Sequence, residues 1–306
     1  MRRRFNKIRN KKVLGIYVLS LLCLILLSPV PSRAQVEYDD LTGVTVAIYN
    51  GLGVMGSSRI ALTRMFEWMN ATVVAITPSQ IINESLSDYD ILVIPGGSET
   101  TASSELESEG KQKIKDFVSQ GGSYFGICGG ATFGVTYLRL FDGYIVPGNE
   151  EGDLIHATMM HVNQSSAGPD LSDLPANFTT MYYASQYFVP KQGTVFYTVA
   201  IYDYNDNPGM IAFEYGNGTV FLSSPHPEFE ENGDRDDTTF GDDLDDPDSE
   251  WALLLRVSTW LIEASYIEPI GSTTTPLDFS LIAMVSGGVV VVAIVVAALY
   301  RRSITG

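Results

Sequence analysis

Through the first half of the chain, short apolar runs alternate with stretches whose apolar residues fall on one helical face. Val44 to Tyr49 is an apolar run ending at Asn50 and Gly51. Ser57 and Ser58 then open a segment that carries Leu62, Met65, Phe66 and Met69 at helical spacing. Strand, glycine loop and helix is the opening of an α/β unit. Thr72 to Ile76 predicts a second strand, and Pro78 begins a short helix or turn. Asp90 to Pro95 predicts a third, buried strand closed by Gly96 and Gly97. Glu105 to Gln120 reads as a helix with Leu106, Ile114, Phe117 and Val118 apolar and Lys111, Lys113 and Lys115 exposed, stopped by Gly121 and Gly122. A fourth strand, Tyr124 to Ile127, runs straight into Cys128. Four such alternations predict an α/β fold with a doubly wound, mostly parallel sheet, whose sites form beyond the carboxyl ends of the strands.

The second half is less regular. Between Tyr144 and Gln192 the pairs Tyr182–Tyr183 and Tyr187–Phe188 read as packed strand rather than pocket wall. Thr194 to Tyr202, Met210 to Tyr215 and Thr219 to Ser223 predict strands, the last two joined through Gly216, Asn217 and Gly218 as a hairpin. From Glu228 to Glu250 there are twelve acidic residues and one basic one, Arg235. This reads as a solvated acidic loop, since Asn232, Asp234, Asp236 and Asp237 fit no EF-hand spacing. Asp248 or Ser249 is expected to cap a closing helix with Trp251, Leu254, Leu255, Ser258, Leu261 and Ile262 along one side.

Charge and the two ends change the picture. The net charge is −17, but eight of the 19 basic residues lie at or before Arg33, so Val36 to Ile270 holds nine Lys/Arg against 35 Asp/Glu. A surface of that sign repels phosphate backbones, and no nucleic-acid partner is expected. Seven Lys/Arg among the first twelve residues precede an apolar run from Val13 to Leu27, then Pro29, Pro31, Ser32 and Ala34. This pattern predicts a signal peptide or a signal anchor over residues 1–34. Phe279 to Leu299 is 21 residues without a charge, followed by Arg301 and Arg302. It predicts a transmembrane helix at 278–300, a stalk at 266–277, a short cytoplasmic tail at 301–306 and an outward-facing domain at 36–265. The expected setting is the cell membrane, single-pass, with the globular domain extracellular. Asn70, Asn83, Asn163, Asn177 and Asn217 head five N-x-[ST] acceptors in that domain, where chance predicts roughly one or two, as expected for a glycoprotein.

Cys23 lies in the first apolar run, which leaves Cys128 alone in the globular part. It sits in G-x-C-x-G, at Gly126, Cys128 and Gly130, the composition of a nucleophile elbow, where small neighbours let strand and helix backbones approach closely. A thiol at neutral pH is only a few per cent ionised, so a catalytic cysteine needs a histidine base and a group to orient it. The three histidines are His156, His161 and His226. His226 follows a predicted strand and precedes Glu228 by two residues, so in extended geometry both side chains point to one side. Cys128, His226 and Glu228 thus form a coherent nucleophile, base and orienter. His156 and His161, five apart, have a poor metal spacing and read as structural. No metal and no cofactor are expected.

Pro95-Gly96-Gly97, Gly126-Ile127-Cys128-Gly129-Gly130 and His226-Pro227-Glu228, in this order, resemble the class I glutamine amidotransferase-like superfamily, which implies a flavodoxin-like sheet. The resemblance implies a triad of Cys128, His226 and Glu228 and an oxyanion hole from the backbone amides of Gly97 and Gly129. Over about Val44 to Ile262 the chain is most similar to the N-terminal domain of biotin–protein ligases, through Tyr49-Asn50-Gly51-Leu52-Gly53-Val54, the lysine-bearing helix, Gly121-Gly122-Ser123-Tyr124 and Pro225-His226-Pro227-Glu228-Phe229. The Gly/Arg-rich adenylate loop of the ligase part does not occur, so biotin transfer is not predicted. Glutaminase members carry Gln four residues after the nucleophile, where this chain has Thr132, which argues against synthase-coupled glutamine hydrolysis. The expectation is a Cys-His-Glu hydrolase acting on an unknown amide or ester, its ligand a small molecule or peptide. The alternative is a non-catalytic ligand- or partner-binding module on the same fold.

Overall fold

A computed structural model describes residues 40–230, 235–247 and 249–265. The expected signal segment, stalk, membrane span and tail lie outside the described residues. Among the described residues no helix is long and apolar enough to cross a membrane.

The chain opens with β1 (Thr45–Tyr49), α1 (Gly56–Trp68), β2 (Thr72–Ile76), α2 (Pro78–Asn83), β3 (Ile91–Ile94), α3 (Glu99–Glu105), α4 (Glu107–Ser119), β4 (Ser123–Ile127) and α5 (Gly129–Thr136). Then come β5 (Gly143–Pro147), β6 (Ile155–Val162), β7 (Asn177–Tyr183), β8 (Gln186–Pro190), β9 (Tyr197–Tyr202), β10 (Pro208–Tyr215), β11 (Gly218–Ser223) and α6 (Trp251–Ala264). Nine strands form one sheet in the order β2-β1-β3-β4-β11-β10-β9-β6-β7, while β5 and β8 pair separately. From β2 to β11 neighbours are parallel, and from β11 to β7 they are antiparallel. The sheet is therefore mixed, a correction to the mostly parallel expectation. Only the first half of the sequence has the strand-helix alternation that parallel crossovers require. The second half returns by direct antiparallel pairing, as at the two-residue Gly216-Asn217 turn.

Alternation along each parallel strand sends side chains into two cores. Val46, Ile48, Val93, Phe125 and Ile127 face α1 and α6, packing on Leu62, Phe66, Leu254, Val257 and Leu261. Ala47, Tyr49, Leu92, Ile94 and Tyr124 face the other way, toward Ile81, Leu106, Ile114, Val118 and Phe133. Both faces of the central strands are covered, which explains their unbroken apolar runs. The last carbonyls of α6 are tied to the sheet where Thr219 Oγ1 donates to the Leu261 carbonyl at 2.8 Å.

The expected helix from Glu105 to Gln120 is α4, Glu107–Ser119, and a separate helix, α3, precedes it. Glu107 has φ +52° and breaks the run, and Leu106 between the segments is fully buried. Ser98 caps the first of them by accepting from the Thr101 amide at 3.3 Å. The closing helix starts from Glu250, whose side chain makes no cap bond, while Ser249 Oγ accepts from the Trp251 amide at 3.4 Å; its buried residues are Trp251, Leu253, Leu254, Val257, Ser258, Thr259 and Leu261. The acidic segment is not simply a solvated loop: Glu230, Asp236, Asp246 and Glu250 are all buried. Asp236 accepts from the amides of Glu230 and Thr238, and Arg235 donates to both oxygens of Glu230 at 2.8 Å. Among the described residues no group of acidic, histidine or cysteine side chains is arranged to hold a metal ion.

Candidate active site

Strands β3, β4 and β11 run parallel and end along one edge of the sheet. The Pro95-Gly96-Gly97 turn leaves β3 there, Cys128 leaves β4, and His226 follows β11 three residues on. Residues far apart in sequence meet because their strands are neighbours.

Cys128 is the hinge between β4 and α5, at φ +51° and ψ −112°. A non-glycine residue at positive φ is strained, and the surrounding contacts hold it there. Its amide donates to the Ser223 carbonyl at 2.8 Å, and its own carbonyl accepts from the Thr132 amide at 3.0 Å. A Cβ on Gly129 would lie 1.9 Å from the Gly97 carbonyl oxygen, and one on Gly130 would lie 1.9 Å from that of Ile94. The glycines that frame the cysteine are thus there because backbone meets backbone.

Gly97, at φ +137°, crosses the Gly53–Met55 segment. The Met55 amide donates to the Gly96 carbonyl and the Ser98 amide to the Gly53 carbonyl, both at 2.8 Å. In this pattern the bridged pair Val54 and Gly97 do not bond each other, so the Gly97 amide points away from that segment. Gly129, in contact with Gly97, turns its amide to the Cys128 sulfur, where it helps lower the thiol pKa. The two glycines expected to supply the oxyanion donors are therefore in contact with each other, one of them directly following Cys128.

His226 and Glu228 are fully buried. The His226 amide donates to the Met181 carbonyl at 3.0 Å, which fixes the backbone beneath the ring. Nδ1 pairs with Glu228 Oε1 at 2.9 Å. Nε2 has no hydrogen-bond partner among the described residues, and the Cys128 side chain lies close enough to act on the ring's charge. Tyr183 and Phe229 cover the ring at centroid distances of 6.0 and 5.6 Å. Trp251 Nε1 donates to the Glu228 carbonyl at 3.0 Å.

Burial acts to raise the Cys128 thiol, but the charge and hydrogen bonding of His226, with the Gly129 amide, outweigh it and hold the pKa below its ordinary value. Burial likewise acts against a charged imidazole, yet the charges of Glu228 and Cys128 push His226 up to about 10. Both shifts favour a thiolate–imidazolium pair backed by a carboxylate.

The site also contains residues the sequence reading missed. Ser58, read there as a helix opener, is fully buried, donates from Oγ to Glu228 Oε1 at 2.7 Å and accepts from the Gly96 amide at 3.0 Å. Gln186 enters from β8, where Thr132 Oγ1 donates to its Oε1 at 2.6 Å. A glutamine amide is thus held one helical turn after the nucleophile, although the residue at that turn is Thr132. No local motif marks either residue. His156 and His161 are apart from the site: His156 stacks on Tyr182 at 4.6 Å and bonds the Asp153 carbonyl, and His161 lies between Asn177 and Asp203.

Fold and site define an α/β protein with a mixed sheet, similar to the glutamine amidotransferase-like proteins, with a cysteine at the strand-to-helix turn. Within that class the chain is similar to the N-terminal domain of biotin–protein ligases: residues 44–145 match the family described as "Biotin-protein ligase, N terminal". A biotin–protein ligase of Schizosaccharomyces pombe is 26% identical over 222 residues, 62% of this chain and 34% of that protein. A ThuA-like protein from Bacteroides uniformis shares the fold with a TM-score of 0.51 at 14% identity, over 74% of this chain and 94% of that one. A glutamine amidotransferase from Thermotoga maritima aligns at a TM-score of 0.48 and 13% identity, over 72% and 96%. The chain spans 34 to 60% of the length of the curated relatives it matches.

Proposed function

We propose that this protein is a membrane-anchored, outward-facing Cys-His-Glu hydrolase that cleaves an amide or ester through an acyl-thioester. One observation carries the reading: Cys128 is held at φ +51° beside two glycine amides, with a fully buried His226–Glu228 pair at 2.9 Å behind it. A structural cysteine needs neither the strained turn nor the buried ion pair.

In this reading the Cys128 thiolate attacks the substrate carbonyl carbon, and the oxygen takes the negative charge at the amides of Gly97 and Gly129. The tetrahedral adduct collapses as His226 Nε2 gives its proton to the leaving amine or alcohol. Water then attacks the thioester, His226 takes a proton from it, and the second adduct expels the thiolate and a carboxylic acid. Glu228 holds the imidazole and its charge throughout. Similarity to part of a biotin–protein ligase supports the domain assignment rather than ligation.

A thiol-directed activity probe tests the chemistry. It labels Cys128 in the wild-type chain, does not label Cys128→Ala, and labels His226→Ala at a strongly reduced rate. Labelling of wild type no faster than glutathione would count against an enzyme and for a ligand-binding module on this fold. The anchor rests on the uncharged Phe279 to Leu299 run and the arginines after it. Full-length protein is expected to stay with membranes through a carbonate wash, and truncation after residue 277 to release it.

A further inference from the structure

We infer that Ser58 is a positioning residue of this site, fixing the Glu228 carboxylate for His226 and tying it to the Gly96-Gly97 turn. The inference rests on the proposed triad but uses contacts that the triad alone does not require.

The direction of both Ser58 hydrogen bonds is settled by chemistry. The Gly96 amide can only donate, so Oγ accepts from it at 3.0 Å, and the hydroxyl proton goes to Glu228 Oε1 at 2.7 Å. The oxygen that receives it is the one that accepts from His226 Nδ1 at 2.9 Å. Glu228 Oε2 is buried with no hydrogen-bond partner among the described residues. Oε1 therefore carries the hydrogen bonds of a fully buried carboxylate, one to His226 and one to Ser58. Without the Ser58 hydroxyl, a single bond to a ring that must itself gain and lose a proton would be left to hold it. Charge-assisted bonds in a buried site are the strong ones, so this loss is felt.

Ser58 also joins two parts of the site that come from different strands. Gly96 precedes one oxyanion donor, and a Cβ there would lie 2.8 Å from His226 Cε1 and 3.3 Å from Ser58 Oγ. The serine hydroxyl thus fits between the turn after β3 and the acid that follows β11, and it is supplied by the first turn of α1. The titratable groups packed around His226 are Cys128, Glu228 and Tyr183.

The test compares wild type, Ser58→Ala, Ser58→Thr, Glu228→Gln and the Ser58→Ala/Glu228→Gln pair, each first shown to be folded by its urea midpoint. Two profiles are measured: the His226 imidazole titration by NMR and the pH dependence of Cys128 alkylation by iodoacetamide. Ser58→Ala is expected to lower the His226 pKa and to raise the thiol's apparent pKa by about one unit, an approximately tenfold loss of rate on the acid limb. Ser58→Thr, which keeps the hydroxyl, restores both, and in the Glu228→Gln background Ser58→Ala adds less than about twofold. An unchanged His226 titration in folded Ser58→Ala overturns the inference. An ordinary thiol profile in wild type, with His226 still responding to Ser58→Ala, overturns the proposed hydrolase and leaves Ser58's role standing.

Discussion

Replacing Gly129 by alanine tests whether the close approach of two backbones builds the site. The added Cβ would lie 1.9 Å from the Gly97 carbonyl oxygen, where ordinary contact starts near 3.4 Å, so the turns must separate by about 1.5 Å. Gly97 cannot retreat freely, because a Cβ on it would already lie 2.1 Å from the Gly53 carbonyl oxygen and its φ is +137°. Overpacking of this kind costs about 1–3 kcal/mol. A displacement of roughly 1 Å in a reacting geometry costs about a hundredfold in rate. Urea unfolding followed by the fluorescence of Trp68, Trp251 and Trp260 reads the first effect. The second is read by comparing acylation with p-nitrophenyl acetate, which in the proposed mechanism draws on both amides, with alkylation by iodoacetamide, which does not. Gly129→Ala should lose acylation far more than alkylation. Gly56→Ala is the control: nothing lies within 4 Å of its Cβ position at the start of α1, so it should be neutral or stabilising by up to about 1 kcal/mol. Full stability with unimpaired acylation in Gly129→Ala would refute the steric reasoning.

Three further outcomes follow from other parts of the structure. His226, raised to about 10 from 6.5, contributes stability that is full below about pH 6.5 and is lost as pH rises through 10. Cys128, lowered from 9.0, contributes stability above pH 9.0 that is lost as pH falls through its folded value. From the folded-state pKa of Cys128 up to pH 9.0 the two slopes oppose, so wild-type urea midpoints should fall less steeply there. Cys128→Ala, in which Glu228 alone still raises His226, should decline from about pH 6.5 upward without that compensation. The Arg235 guanidinium lies over Trp251 and Trp68 at 4.3 and 5.2 Å and serves both oxygens of Glu230. Arg235→Met should cost about 2 kcal/mol, reduced because the arginine is partly exposed, and lower Tm by about 4–8 °C, with Arg235→Lys recovering less than half. Asn70, Asn83, Asn177 and Asn217 are exposed, but Asn163 is half-buried and its amide donates to the Thr198 carbonyl at 3.0 Å. Mass spectrometry of protein from a secreting eukaryotic host should find the lowest glycan occupancy at Asn163.

The parallel half of the fold was legible because buried parallel strands need unbroken apolar runs, and glycines mark where strands β3 and β4 end. Cys128, His226 and Glu228 were legible for the same reason: each follows a strand end, and one intervening residue sets histidine and glutamate on one side. The antiparallel half was harder to read. Strand β6 mixes His156, Thr158 and His161 with Met159 and Met160, and its partner buries Thr180, so no clean alternation shows. Helix α3 is rich in Ser and Thr and buries only Ala102 and Ser103, which leaves no apolar stripe to find. Ser58 lies 170 residues from Glu228, and nothing local distinguishes a serine that bonds a distant carboxylate from one that begins a helix. The acidic segment misled because composition counts charges but not partners: Arg235 and two backbone amides allow Glu230 and Asp236 to be buried.

The most direct test of the central claim is a single-turnover reaction of the full-length protein with p-nitrophenyl acetate at pH 6, with intact-mass and peptide analysis of the product. An activated Cys128 releases one equivalent of p-nitrophenol in a burst and carries one acetyl group as a thioester, and His226→Ala loses both. Acylation of Cys128 no faster in the folded protein than in the same chain unfolded in urea would contradict the account.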